Sequence, residues 1–365
     1  MSKIPIKREE ITADWLSSML SLCGHCVISD YEFEEITGNN SEISQLFRLW
    51  LNYQQRSEAH PDVVIVKMPP EDDITRLREA SYGPYVGELG AYRLLESFHG
   101  SNIARLYGAM EDAYERTACF VLEDIGELPL GHKYAKIDFG LAKVTLSFMA
   151  KFHGKFWNEN SLGSAPWIHD ADWSFLFDQD PLDSLNGWQL IKNEDRFEMT
   201  EALFFAGEYL GPRLNDLKIA LRTRPNTLTH NDLHQGNVMF RYEASGPVPV
   251  VIDWQLPAFA GATNDLAKFL MTAVPLEILA EREEELVKHY LLQLHDQGVS
   301  ESEYGFEECW RDYRRAQVAT FANYVLNCSE ISDQEDFIQS LGYSTYAVIK
   351  ALSMVDSQEL IEILP

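Results

Sequence analysis

Apolar and polar positions change period several times along the chain. Residues 9–23 carry Ile11, Trp15, Leu16 and Met19 on one helical face. The segment VISDYEFEEI (27–36) reads as a strand, TGNNSE (37–42) as a turn, and ISQLFRLWLNYQ (43–54) as a second strand. A polar loop then leads to the apolar run VVIVKM (63–68), a third strand. Gly83 and Pro84 break the pattern, and VGELGAYRLLESF (86–98) has helical spacing. ARLYGAMED and TACFVLEDIG give two further strands across a short turn. The first 125 residues thus predict about five strands, with one long helix after the third.

Beyond Gly126 the periodicity is mainly helical, and KVTLSFMAKFHGKFW (143–157) is strongly amphipathic. One strand-rich island, residues 228–255, interrupts it, with EASGP as a hairpin turn between VMFRY and VPVVID. From residue 264 the helical pattern resumes, without internal repeats or low-complexity tracts. The 365 residues suit two bodies of ordinary domain size. The fold class expected is α+β in two lobes: residues 1–125 as an antiparallel sheet plus helix, residues 126–365 as a mainly helical lobe.

Charge narrows the function classes. Thirty Lys and Arg against 57 Asp and Glu give a formal charge of -27. Such a field repels polyanions, so nucleic acid and anionic membrane are not expected partners. A small ligand held by local groups is compatible with it, neutral or cationic before bulky acidic. The first residues hold no apolar run of signal-peptide length, and no stretch reaches the ~18–20 apolar residues of a membrane helix. With five cysteines, an odd number, the expected location is the reducing cytoplasm. Cys23 and Cys26 form a lone C-x-x-C around His25 with no second pair nearby, which favours packing over zinc.

Candidate chemistry is concentrated in the island. In His230-Asn231-Asp232-Leu233-His234-Gln235-Gly236-Asn237, Asp232 stands five residues before Asn237. Asp253 follows sixteen residues later, at the end of an apolar strand. Phosphoryl transfer from ATP needs such a set: one carboxylate for the proton of an attacking hydroxyl, an amide oxygen and a second carboxylate for Mg²⁺. Singly, Asp and Asn are common loop and cap residues. Together, at these spacings and with a strand after each loop, they point to catalysis.

The pattern H-x-D-x-x-x-x-N, then a hairpin and Ile252-Asp253-Trp254, resembles the catalytic and metal loops of the protein-kinase-like fold. It is most similar to the small-molecule branch: aminoglycoside phosphotransferases, choline kinases and the ecdysteroid-kinase-like family. FAGATNDLAKFL after Asp253 is similar to that branch too, where Asp265 helps fix the loop. The resemblance spans roughly residues 30–325 and is sharp over 228–270. It implies Asp232 as catalytic base, Asn237 and Asp253 as metal ligands, and ATP with Mg²⁺ as cofactors. It also implies Lys67 on the ATP phosphates and Glu88 as its partner, with Glu79 and Glu96 as competitors. Backbone N–H groups of 39–42 and the Ser41 hydroxyl would cap phosphates, in a turn with only Gly38 as glycine. The backbone of Glu123 to Ile125 would meet the adenine edge. His230 would brace the loop.

Ile-Asp-Phe-Gly-Leu-Ala (137–142) imitates a protein-kinase metal motif, but it precedes the catalytic loop by about ninety residues and follows no apolar strand. Asp138 is better read as the cap of a helix starting near Leu141. The A-P-E signature of protein kinases is absent as well, so the expected acceptor is a hydroxyl of a small molecule. Phe156, Trp157, Trp167, Trp173, Phe175, Phe177 and Trp188 could wall its pocket, and core packing is the simpler reading of them. The alternative to an active kinase is a nucleotide-binding pseudokinase acting as scaffold or sensor. The intact set Lys67, Asp232, Asn237 and Asp253 favours the kinase.

Overall fold

A computed structural model describes residues 4–20, 26–36, 44–126, 137–169, 181–222, 225–328, 331, 334–340 and 342–365. The elements run α1 (Ala13–Met19), β1 (Ile28–Glu35), β2 (Gln45–Tyr53), β3 (Val63–Met68), α2 (Asp73–Tyr82), α3 (Pro84–Leu94), β4 (Leu106–Asp112) and β5 (Thr117–Glu123). Then come α4 (Phe139–Lys155), α5 (Pro181–Lys192), α6 (Glu201–Arg222), β6 (Asn226–Thr229), β7 (Val238–Glu243), β8 (Gly246–Val251) and β9 (Ala258–Gly261). The chain closes with α7 (Thr263–Ala273), α8 (Leu276–His295), α9 (Phe306–Cys328), α10 (Gln334–Ser340), α11 (Tyr343–Ser353) and α12 (Ser357–Ile363).

Two compact units result: residues 1–135 with 236–256, and residues 136–235 with 257–365. The hairpin β7–β8, which its place in the sequence put with the helical lobe, packs with the first unit. Asn102 Nδ2 donates to the Pro249 carbonyl at 2.9 Å, Ile103 bridges Val251, and Arg241 donates to the Gly100 carbonyl.

In the first unit an antiparallel sheet has the order β1-β2-β3-β5-β4. β3 lies in its middle, so VVIVKM is apolar nearly throughout, whereas edge strand β1 exposes Glu32, Glu34 and Glu35. Charges on such an edge discourage pairing with another chain. Leu16, Leu49, Val64, Val66 and Val121 form the core with the α1 side of the sheet. Each such side chain contributes ~1.5–3 kcal/mol on burial. Where one long helix was expected after β3, two stand. Asp72 caps α2 by accepting the Thr75 N–H at 2.7 Å, and Gly83 at φ 82 ends it. Pro84 opens α3, its fixed φ already helical.

The second unit is helical around the small pair β6–β9, with α4 packed on α8 and α7 on α9. As expected, Asp138 caps α4, accepting the Leu141 N–H at 2.9 Å. Among the described residues, no helix is long and apolar enough to cross a membrane.

Candidate active site

Lys67 is held on both sides by sheet pairing, opposite Leu46 on β2 and Phe120 on β5. Its Nζ lies 2.9 and 2.8 Å from the two Glu88 carboxylate oxygens and 2.6 Å from Asp253 Oδ1. The three side chains differ in solvation: Glu88 is 1% exposed, Lys67 8% and Asp253 38%. Of the competing glutamates, Glu79 pairs with Arg78 and Glu96 is exposed, so Glu88 is the partner. Burial works against the Lys67 cation, but Asp253 and Glu88 outweigh it and hold the lysine protonated. Burial pushes Glu88 up to about 7, against the pull of Lys67 and with the help of Asp253.

Asn237 and Asp253 are brought together by hairpin register. Val238 pairs with Val251, and the Ile252 N–H donates to the Asn237 carbonyl at 3.0 Å. Asp253 itself sits at φ 63, a left-handed conformation unusual for a residue with a side chain. An amide oxygen and a carboxylate are hard donors. They fit Mg²⁺, which takes few protein ligands and completes its shell with water and phosphate oxygens.

Asp232 belongs to the second unit, on the loop that leaves β6. Asp265, fully buried on the first turn of α7, anchors that loop: its oxygens accept the N–H groups of His230 and Asn231, each at 2.7 Å. His153 Nε2 stands 3.2 Å from Asp265 Oδ2, and its Nδ1 is 2.9 Å from the Tyr290 hydroxyl. His230 Nδ1 accepts the Asp232 N–H at 3.3 Å, a bracing contact. Asn231 takes the turn at φ 65.

The Asp232 carboxylate meets Lys268 Nζ at 2.9 Å on Oδ1, and His234 Nε2 at 3.7 Å from Oδ2. Burial alone would raise this carboxyl, but Lys268 and then His234 outweigh it and hold it below the usual carboxylate range. The motif does not reveal Lys268. The available signal was its place three residues after Asp265, on the same helix face.

At the end of β5 the chain is clamped. The Glu123 N–H donates to the Arg105 carbonyl at 2.9 Å, so that donor is consumed within the sheet and is not offered to a base edge. The Glu123 carboxylate accepts the Arg105 N–H at 3.0 Å and pairs with Arg241 at 2.7 Å. Arg48 Nε meets Asp124 Oδ2 at 2.9 Å while its Nη2 donates to the Gly126 carbonyl at 2.6 Å, which fixes the stretch holding Ile125. Gly38 and Ser41 lie outside the described residues, as do Cys23, His25, Trp173, Phe175 and Phe177. Cys26 is buried. Trp188 is core, packed over Gly207 with its Nε1 donating to Glu208 at 3.0 Å. Trp157 is half-buried and donates to Glu303 at 3.0 Å.

Comparison with known proteins bears on this arrangement. The model of the Ecdysteroid kinase-like family matches residues 184–300. No curated protein matches the chain. Among solved structures it is similar to a Plasmodium vivax ethanolamine kinase, at 12% identity and a TM-score of 0.50, over 89% of this chain and 82% of that one. It is likewise similar to a protein from Ralstonia eutropha classed with the aminoglycoside phosphotransferases. There the identity is 12% and the TM-score 0.51, over 94% of this chain and 96% of that one.

Proposed function

From its protein-kinase-like fold, with an ecdysteroid-kinase-like segment, we propose that this chain is a small-molecule kinase. It moves the γ-phosphoryl group of ATP to a hydroxyl of a small molecule. The observation that carries the reading is the contact of Lys67 with both Glu88 and Asp253, at 2.8 and 2.6 Å. A lysine held between a buried and a half-exposed carboxylate is poised to exchange part of that pairing for phosphate oxygens.

Asn237 and Asp253 are the residues that would hold Mg²⁺, which supplies charge neutralisation on the transferring phosphates. Lys67 binds phosphate oxygens, and Glu88 fixes its position from the buried side. The backbone of Glu123 to Ile125 is the segment for the base edge, with the Glu123 N–H engaged by the Arg105 carbonyl. Asp232 orients the acceptor hydroxyl and takes its proton as the new O–P bond forms. Its ionised state, supported by Lys268, suits that role.

The test is a mass-spectrometric screen of hydroxylated metabolites with Mg-ATP, read for an added phosphate, in wild type and Asp232→Ala. The expected result is phosphate transfer to at least one alcohol, reduced ~10²–10⁴-fold by the substitution, with ATP affinity little changed. Nucleotide binding with no transfer to any acceptor would favour a pseudokinase instead.

A further inference from the structure

The surroundings of Asp232 point to a residue outside the motif, an inference that rests on the transfer reading above. Asp265 and Lys268 lie three residues apart on α7, so their side chains share one helix face. Asp265 accepts the backbone N–H groups of His230 and Asn231. Lys268 takes the next residue by its carboxylate, with Nζ 2.9 Å from Asp232 Oδ1. One turn of α7 thus fixes both the backbone and the side chain of the loop.

Lys268 is itself closely confined. Its side chain is 12% exposed, and its ammonium lies 5.2 Å over the Tyr324 ring of α9. Placing an ammonium in such a position is costly unless a counter-charge is present. Asp232 is that counter-charge, and its carboxylate is 32% exposed. We propose that Lys268 is a positioning residue for phosphoryl transfer: it anchors Asp232 Oδ1, presents the carboxylate in one orientation and keeps it ionised. In the step this serves, the acceptor O–H proton passes to Asp232. The acceptor oxygen bonds to the γ-phosphorus as the bond to the bridging oxygen breaks and ADP leaves.

Among the described residues, the charged and titratable groups that act on Asp232 include Lys268 from α7 and His234 and His230 from its own loop, while Tyr324 of α9 faces Lys268. Burial opposes the carboxylate charge, and Lys268 is the largest influence sustaining it. The sign follows. With Lys268 present, Asp232 protonates below the usual carboxylate range. With an apolar side chain in its place, burial dominates and Asp232 protonates at higher pH.

The experiment uses the full chain, with Mg-ATP as substrate and water as acceptor, and compares wild type, Lys268→Met and Lys268→Arg across pH. In the wild type the acid limb of kcat/KM lies below the usual carboxylate range, because Lys268 and His234 favour the ionised form. In Lys268→Met it moves up by about 1–3 pH units, with KM for ATP within about two-fold, and Lys268→Arg keeps it near the wild-type position. An acid limb at the same pH in wild type and Lys268→Met would overturn the inference.

A second measurement does not need turnover: the difference in unfolding stability between each background and its Asp232→Asn variant, followed against pH. With Lys268 present this difference favours Asp232 increasingly as pH rises toward the unfolded carboxylate value of ~4. In the Lys268→Met background the slope reverses, because the folded-state value then exceeds the unfolded one. Equal slopes in the two backgrounds overturn the inference. A slope that reverses between the wild-type and Lys268→Met backgrounds, in a protein whose wild type neither binds nor turns over Mg-ATP, refutes the transfer reading alone, since the hold of Lys268 on the carboxylate is then demonstrated.

Discussion

Replacing Lys67 by methionine isolates the electrostatics of the first unit. The apolar stem is kept and the cation between Glu88 and Asp253 is lost. At 2.8 Å and an effective dielectric of ~20, the gross attraction to Glu88 is about 6 kcal/mol. Desolvation offsets part of it, and breaking a buried pair on one side costs about 3–5 kcal/mol. Glu88, fully buried, is then the uncompensated charge. Its carboxyl is already pushed up to about 7 by burial, and loss of Lys67 removes the only influence opposing that rise. The folded-state value climbs further above the unfolded ~4.3. The stability deficit of Lys67→Met therefore grows as pH rises above about 7 and shrinks to a floor below it.

Thermal unfolding between pH 6 and 9 reads this directly. At roughly 2–4 °C per kcal/mol, the expected loss at pH 8 is ~6–20 °C. Lys67→Met/Glu88→Gln, which removes the stranded charge, should recover more than half of it. A double variant as unstable as Lys67→Met at pH 8, or a deficit independent of pH, would refute the reasoning.

In an otherwise wild-type chain, Glu88→Gln should flatten the pH dependence of stability between ~4.3 and about 7, where the raised Glu88 contributes stability that is lost as pH rises. Asp253→Ala should remove Mg-dependent ATP affinity from a folded protein, and calorimetry showing unchanged Mg-ATP binding would count against the metal assignment. Asp265→Ala strands the buried N–H of His230 and the N–H of Asn231. It should cost ~2–5 kcal/mol by thermal unfolding and lower turnover while nucleotide affinity holds, and Asp265→Asn should recover part of the stability.

The parts of this protein legible in its sequence are those fixed by local periodicity. The five strands of the first sheet, the cap at Asp138 and the hairpin at 238–251 each follow from a few neighbouring residues. So does the Asp232–Asn237 spacing, because a loop and the start of a hairpin are short-range structures. α2 escaped notice because DITRLREASY has little apolar face. It buries Arg76 and Ala80, exposes Ile74 and Leu77, and stands on its Asp72 cap and on Arg76 bonds to the Pro70 and Glu71 carbonyls. β9 is four residues, AFAG, buried throughout, too short to show any period.

Tertiary structure decided the rest. The choice of Glu88 over Glu79 and Glu96 depends on α3, rather than α2 or the turn after α3, bringing a carboxylate to β3. The engagement of the Glu123 N–H depends on strand pairing. The grouping of 236–256 with the first unit depends on its bonds to Asn102 and Gly100, more than a hundred residues away in sequence. Lys268 is the clearest case. In sequence it is one lysine in an amphipathic helix, and only the packing of α7 against the 230–232 loop puts its charge on Asp232. Hydrophobic period records which face of an element is buried. It carries no information on which polar group of another element that face will meet, and the charge pairs of this protein are set there.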